Sequence, residues 1–413
     1  MKNTTLIIGG GIVGATLALK LAQARHPVTL IDARPKLLAA DWDNKLNQRD
    51  ARVYALSVAS INLLKAVGAW QRIEQSKRKA DYTQMQVWQT NGVGELNFGD
   101  AQTPQLLGSM VEPFIIEKAL YDGFDDESLV HQGQSYLRHI AGHKVTDIAW
   151  QGEDLGYQVS LDNGTTYQGK LLIGADGRGS MVRQAAGIGL DTLAYQQTAI
   201  CCAIKTEQPH KATARQVFLP TGPLALLPLA DVTADDQANP QHWQSVVWTL
   251  PTNAALDLLT PKELAKELAF ASGYALGDIT EIESIASFPL GAQHAKNYVK
   301  ANLALIGDAA HGVHPLAGQG LNLGMLDIIA LSDILQKDYQ RSGNKLWASF
   351  ATLQRYERQR YANNAMMMHS FSGINWIFGT QLRPIQQLRS EGVSVVSKIT
   401  PLMKFFTQKA SGI

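Results

Sequence analysis

The hydrophobic pattern changes period twice near the N-terminus. Thr4 to Ile8 form a short apolar, β-prone run, Ile12 to Ala24 repeat their apolar residues at helical spacing, and Val28 to Ile31 are apolar again after Pro27. That order predicts a strand, a glycine turn, a helix and a second strand, which together make a βαβ unit. Further along, Tyr157, Val159 and Leu161 alternate with polar residues up to Asn163-Gly164, a hairpin signal, and the apolar strand Leu171 to Ile173 follows. Between about 194 and 290, "RQVFLP", "LALLPLA" and "SVVWTLP" read as strands of a separate antiparallel sheet, interrupted by a helix at Pro261 to Ala271. Leu321 to Leu335 and Leu346 to Met368 return to helical spacing. The chain therefore reads as α/β, then mixed β, then α/β again, closing with helices.

At 413 residues the chain is long enough for more than one domain. Its 37 lysines and arginines against 36 acids argue against nucleic acid as a partner, since no strong basic excess is present to meet a polyanion. The balance is local, however: from Ala351 onward eight basic residues face two acids, so this end could meet a membrane surface or a protein partner. Cys201 and Cys202 are adjacent and have neither disulfide-framework nor metal-ligand spacing, which suits a reducing, cytoplasmic setting and predicts no metal site. Lys2 and the uncharged run after it look like a signal peptide, but Gly9, Gly10, Gly11 and Gly14 stand where a signal helix needs leucine.

Three strings carry the chemistry. Gly9-x-Gly11-x-x-Gly14 follows a strand and opens a helix, with Asp32 at the end of the next strand, the pattern in which bare backbone and helix amides approach a pyrophosphate and an acid meets a ribose. "LLIGADGRGSMVR" (171–183) runs from an apolar strand into a turn holding Asp176 and Gly177; by itself it could equally be a capped helix start. "GDAAHGVHPLAGQGLNLG" (307–324) places Asp308 just past a strand, stiffens the entry with Pro315, and leaves bare amides at Gly318 and Gly320 where a helix begins.

These three strings in this order resemble the single-component, FAD-dependent aromatic hydroxylases. "DARVYALSVASINLLKAVGAW" (50–70), "GPLALLPL" (222–229) and "FPL" (288–290) are similar to the ubiquinone-biosynthesis members, which act on polyprenyl phenols and benzoquinols. The resemblance implies a glutathione-reductase-like, FAD-binding Rossmann domain (1–77, 103–185 and 293–350). It implies an inserted mixed β-sheet substrate domain (78–102 and 186–292) and a helical C-terminal region (351–413). It also implies ring hydroxylation with NADH or NADPH and O2 through a C4a-hydroperoxyflavin. A small soluble aromatic acid as substrate, or a mainly scaffolding role in a quinone-synthesis complex, are the alternatives, and a peripheral place on the inner face of the membrane fits a prenylated substrate.

Residue by residue, the resemblance assigns Gly9, Gly11, Gly14 and Asp32 to the ADP half of FAD, and Arg52 to its pyrophosphate unless that arginine makes a surface salt bridge. Asp176 and Gly177 go to the Asp-Gly motif linked both to the FAD pyrophosphate region and to nicotinamide-cofactor use, and Gly307 and Asp308 to the ribitol. Pro315, Gly318, Gln319, Gly320 and Asn322 are placed against the isoalloxazine ring. His311, His314 and Pro315 are the catalytic candidates near the flavin, although a packing role is open for each histidine. Arg34 is not read as an NADP phosphate ligand. Where many relatives have Val-Glu-Asn, this chain has Val111-Glu112-Pro113, which keeps a helix start but removes the asparagine. Cys201-Cys202 are expected to be strand filler. Met366 to Met368, with Phe371, Trp376 and Phe378, are expected either to pack the core or to line a greasy tunnel, and "SKITPLMKFFTQKASGI" is either a docking helix or a membrane-surface segment.

Overall fold

The computed structural model describes residues 4–90, 95–100, 102–252, 254, 259–312, 319–342 and 347–379. Two large sheets organise them. The first has six strands in the order Leu137–Ala141, Val28–Asp32, Thr5–Ile8, Leu171–Gly174, Leu303–Leu305 and Val299–Lys300. The first five run parallel, and the last closes an antiparallel hairpin. The three central strands are buried at nearly every position, as a parallel sheet covered on both faces requires. Their register is level: Ile8 pairs with both Ile31 and Gly174, and Gly174 pairs with Leu305. The turns that follow these strands therefore open at one edge, where open α/β sheets bind ligands.

The helix Ile12–Gln23 covers one face of this sheet through Ala15, Leu19 and Ala22, between the helices Pro113–Tyr121 and Gln319–Ser342. The second sheet has eight strands in the order His311–Gly312, Ile279–Ala295, Leu190–Thr206, Trp243–Pro251, Gly222–Pro228, Thr213–Leu219, Gln84–Gln89 and Glu95–Phe98. All neighbours are antiparallel except Thr213–Leu219 with Gln84–Gln89. Period-two alternation sorts its side chains. Ile200, Cys202 and Ile204 pack under the helix Pro261–Ala271, while Ala199 and Cys201 face the opposite way. That helix starts as the sequence predicts, with Pro261 in its first turn and a Thr260–Glu263 capping box.

The spacing predicts the last helix from Leu346, but it begins at Phe350 and runs to Gly379. Ser349 sets that start, its Oγ accepting the Thr352 amide at 3.2 Å. Among the described residues no helix is long and apolar enough to cross a membrane.

Candidate active site

The three glycine-rich turns interlock at the start of the Ile12–Gln23 helix. Gly9 has φ +104°, and a Cβ there would lie 2.4 Å from the Ala175 carbonyl oxygen; one at Gly14 would lie 1.9 Å from the Gly9 oxygen. Val13 in turn packs against Gly307 and Gly324. Gly11, Gly177 and Gly320 have open space on the side a Cβ would occupy. Gly11 caps the helix without a side chain, so its first amides and the positive end of its dipole meet that open side.

Each acid at this edge has a distinct environment. Asp32 is buried and accepts the Gly10 amide at 2.8 Å through Oδ2 and the Arg34 amide at 2.8 Å through Oδ1. The Arg34 guanidinium also reaches Asp32 at 3.0 Å and continues to Glu117 at 2.9 Å. A cleft of about 830 Å³ opens beyond it, lined by Lys36, Trp42, Tyr121 and His139 among others. Asp176 is a helix cap: Oδ2 accepts the Met181 amide at 2.7 Å and the Val182 amide at 3.1 Å, and Ser180 Oγ donates to Oδ1 at 2.5 Å. The "SMVR" string ties two motifs together, since Arg183 donates to the Ala309 carbonyl at 2.9 Å. Asp308 is enclosed by protein yet its side chain is solvent-accessible, as at the floor of a cleft. That enclosure pushes its carboxyl up, against the opposing pull of His311 and Arg178.

Several candidates are committed elsewhere. The Asn322 carbonyl oxygen accepts the Ser57 amide at 3.0 Å and Ser60 Oγ at 2.7 Å, and its amide nitrogen donates to Ala55 at 2.8 Å, tethering the helix start to the strand Tyr54–Ser57. His311 is 1% exposed and meets Asp327 at 2.5 Å, so its ring lies beneath the loop and not in the cleft. Gln319 is the first residue of its helix. His314, Pro315, Gly318 and the tail after Gly379 lie outside the described residues.

Arg52 rides on a segment latched from both sides. On one side Glu112 accepts the Asp50 amide at 2.8 Å and pairs with Arg78, which also holds the Gln48 carbonyl at 2.9 Å. Pro113 opens the following helix, leaving Glu112 as its N-cap residue. On the other side Arg49 pairs with Asp236 and, at 2.7 Å, with Glu283, and its guanidinium lies 3.7 Å from the Trp243 ring centroid. Arg52 itself is half exposed, 3.9 Å from Asp50 and 4.8 Å from the Phe288 ring centroid. Tyr54, partly buried on the next strand, has its hydroxyl pushed up chiefly by burial.

Next to Phe288 lies a buried apolar cluster: Ala51, Ala199 and Cys201, with Val247, Ala286, Phe288 and Leu290 packed around them. Burial pushes the Cys201 thiol up to about 11, so it is uncharged at neutral pH. Met367 and Met368 pack with Tyr195, Ala292 and Leu323, while Met366 is exposed. The side chains of Phe371, Trp376 and Phe378 lie outside those described.

Sequence reading missed Asp327, Arg360, Glu112, Arg78, Arg49 and Asp236. One signal was available for the first of these: Asp327 interrupts the apolar run "LGMLDIIAL" at a core-facing position, where an acid needs a partner.

Comparison with known proteins matches residues 2–370 to the profile of the FAD binding domain family. The chain is 35% identical to 3-demethoxyubiquinol 3-hydroxylase of Escherichia coli (strain K12), with 98% of each chain covered. It is 33% identical to ubiquinone hydroxylase UbiL of Rhodospirillum rubrum, covering 98% of this chain and 89% of that one. The human mitochondrial ubiquinone biosynthesis monooxygenase COQ6 is 31% identical over 96% of this chain and 90% of its own. Among solved structures, p-nitrophenol 4-monooxygenase PnpA from Pseudomonas putida DLL-E4 shares the fold at a TM-score of 0.72 and 17% identity, covering 98% of both chains. Since the family profile spans most of the sequence and relatives above 30% identity span nearly all of it, the chain belongs to the FAD-binding ubiquinone-biosynthesis hydroxylases, with FAD as its cofactor.

Proposed function

We propose that this protein hydroxylates the aromatic ring of a polyprenylated phenol or benzoquinol in ubiquinone biosynthesis, taking electrons from NADH or NADPH and oxygen from O2. The observation that carries this reading is the convergence of three glycine and acid turns at the level ends of neighbouring parallel strands. The turns fit FAD: space is open at Gly11 and Gly177, and Asp308 is an accessible carboxylate that protein encloses. When bound, FAD supplies reduction by the nicotinamide nucleotide and activation of O2.

The chain's own residues bind and orient. Gly11 lets backbone amides reach the pyrophosphate, with Gly9 and Gly14 packing that turn tightly, joined by Arg52 and the Asp176-Gly177 turn, while Asp32 takes the ribose and Asp308 the ribitol hydroxyls. Pro315, Gly318, Gln319, Gly320 and Asn322 form the segment assigned to the ring edge, with Asn322 acting by fixing the helix start. Phe288 and Leu290, partly buried at the edge of the Ala199–Cys201 cluster, form the apolar face we assign to an uncharged ring. That face disfavours a carboxylate, since burying an unpaired ion costs several kcal/mol in practice, at about the level that shifts its protonation instead.

The same reading takes residues 1–77, 103–185 and 293–350 as a glutathione-reductase-like FAD domain, 78–102 and 186–292 as an inserted sheet domain, and the chain from 351 as a helical region. The six-stranded and eight-stranded sheets support the division in outline, while Lys79–Tyr82 pairs with Gly108–Val111 across it and His311–Gly312 joins the eight-stranded sheet from the FAD side. A membrane-extractable substrate would bring the protein to the inner face of the membrane, through the basic C-terminal region, directly or within a quinone-synthesis complex. A soluble aromatic acid is the second reading, favoured by the half-exposed Arg52 guanidinium above Phe288. Deleting the gene and extracting quinone precursors separates the two: a prenylated, under-hydroxylated aromatic should accumulate, and a normal quinone pool would refute the proposal. Labelled O2 should place one labelled oxygen on the product ring, which a dehydrogenase would not do.

A further inference from the structure

The turn that carries Asp308 is held from beneath by a buried carboxylate on the Gln319–Ser342 helix. Asp327 is fully buried, and each of its oxygens takes two donors. Oδ2 accepts the Gly307 amide at 3.0 Å and His311 Nε2 at 2.5 Å, so it grips the loop on both sides of Asp308. Oδ1 accepts Arg360 Nε at 2.8 Å and Asn364 Nδ2 at 3.1 Å, both from the Phe350–Gly379 helix. Arg360 is itself buried and donates to Asn364 at 2.7 Å. Other bonds complete the clamp: the Asp308 carbonyl accepts Gln293 Nε2 at 2.9 Å, and the Leu305 carbonyl accepts the Tyr356 hydroxyl at 2.8 Å.

We infer that Asp327, neutralised by Arg360, is a positioning residue that fixes the Gly307–His311 turn and so aims the Asp308 carboxylate at the cofactor. The chemistry follows from the donor set. A helix-to-helix contact alone would need Oδ1 and its two partners, whereas Oδ2 points entirely into the turn. Burial pushes the Asp327 carboxyl up, but His311 and Arg360 outweigh that and hold it below the ordinary carboxylate value, so it remains a charged, four-fold acceptor. A neutral amide would offer one accepting oxygen instead of two and leave Arg360 buried without its counter-charge.

The inference rests on the reading of Asp308 as a flavin ligand, and the test separates the two. FAD would be titrated onto apoprotein by flavin fluorescence, alongside thermal unfolding and the midpoint potential of the bound flavin, for Asp327→Asn, Asp308→Asn and Asp338→Asn. Asp338 is the control: it is a buried acid on the same helix, bonded to Arg355 and Thr352 of the same partner helix, but it does not bond to the turn. Asp327→Asn should weaken FAD at least about tenfold and shift the potential, while Asp338→Asn should lower the melting temperature and leave the FAD affinity within about twofold. If Asp327→Asn costs melting temperature with no change in FAD affinity or potential, the inference is overturned, whatever Asp308→Asn does. Unchanged affinity in Asp308→Asn overturns only the ligand reading of that residue. Should Asp327→Asn fail to fold, Arg360→Lys decides: it keeps the charge but loses the second donor to Asn364 and Leu323, so weaker FAD binding supports the clamp and wild-type binding refutes it.

Discussion

Removing the Asp236 carboxylate should loosen the segment that carries Arg52. Asp236 takes the Arg49 guanidinium, the Trp243 indole N–H at 2.7 Å and the backbone amides of Val232 and Thr233 at 3.2 and 3.0 Å. In Asp236→Ala these donors lose their acceptor, and Arg49 keeps one ionic partner, the more exposed Glu283. Breaking one side of a buried pair costs about 3–5 kcal/mol. Arg49 keeps Glu283 as a partner, so the low end, about 3 kcal/mol, applies. Arg49→Met should cost less, about 1–2 kcal/mol, because Asp236 retains its indole and amide donors. A double-mutant cycle read by urea unfolding of the holoprotein, with tryptophan fluorescence as the probe, should then give a coupling of about 1–2 kcal/mol. Burial pushes the Asp236 carboxyl up, but hydrogen bonds from Thr233, Trp243 and Val232 outweigh it and hold it below its ordinary value, so its contribution is present above the unfolded carboxylate pKa and lost as pH falls through the lower, folded one. The stability gap between wild type and Asp236→Ala should be flat from neutral pH down to about 4 and shrink only below that. Additive single mutants, or a gap that closes above pH 5, would refute the reasoning.

Asp308 has the opposite sign: its folded carboxyl is raised, so its protonated form is the better tolerated one, and its contribution falls as pH rises. Apoprotein carrying Asp308→Asn should therefore melt higher than wild-type apoprotein at pH 7 and match it near pH 4, while binding FAD more weakly; a lower melting temperature at pH 7 would contradict this. Gly14→Ala should yield protein without FAD or without a fold, because its Cβ would lie 1.9 Å from a backbone oxygen that cannot move aside; a yellow, wild-type-like preparation would overturn the packing described. Cys201 and Cys202 are buried, with thiols pushed above their ordinary value, so iodoacetamide at pH 8 should label neither until denaturant is added, and mass spectrometry of the native protein checks this.

Local periodicity made much of the fold legible. The strand–turn–helix–strand at the N-terminus is readable because a fully buried parallel strand, a glycine turn and an amphipathic helix each impose their own spacing within a few residues. The helix at Pro261–Ala271 announces itself with Thr260, Pro261 and Glu263 before its apolar stripe. Asp176 is a case where a local signal had two meanings, since an acid four residues before Ser180 suits either a ligand or a helix cap, and its oxygens now hold Met181, Val182 and Ser180. The start of the last helix moved because Ser349 captures the Thr352 amide, a capping choice that apolar spacing does not encode.

The polar partners of the site were not legible, for a physical reason. Arg49 meets Glu283, Arg183 meets Ala309, and Asp327 meets Arg360, all across separations that only the closed chain brings together. None of these pairs has a spacing constraint, because a long guanidinium can reach its acceptor from many backbone positions. What the sequence does mark is the need for a partner, as at Asp327, where an ion stands in an apolar stripe. The glycines mark something different: they show where backbone must come close, while the acids that hold those turns can arrive from any element. The strings of Gly9, Gly14 and Gly307 thus mark close backbone packing, whereas the carboxylate that grips Gly307 arrives from a distant helix. His311 follows the same division, taking its backbone position from its string and its ring position from the acid beneath it.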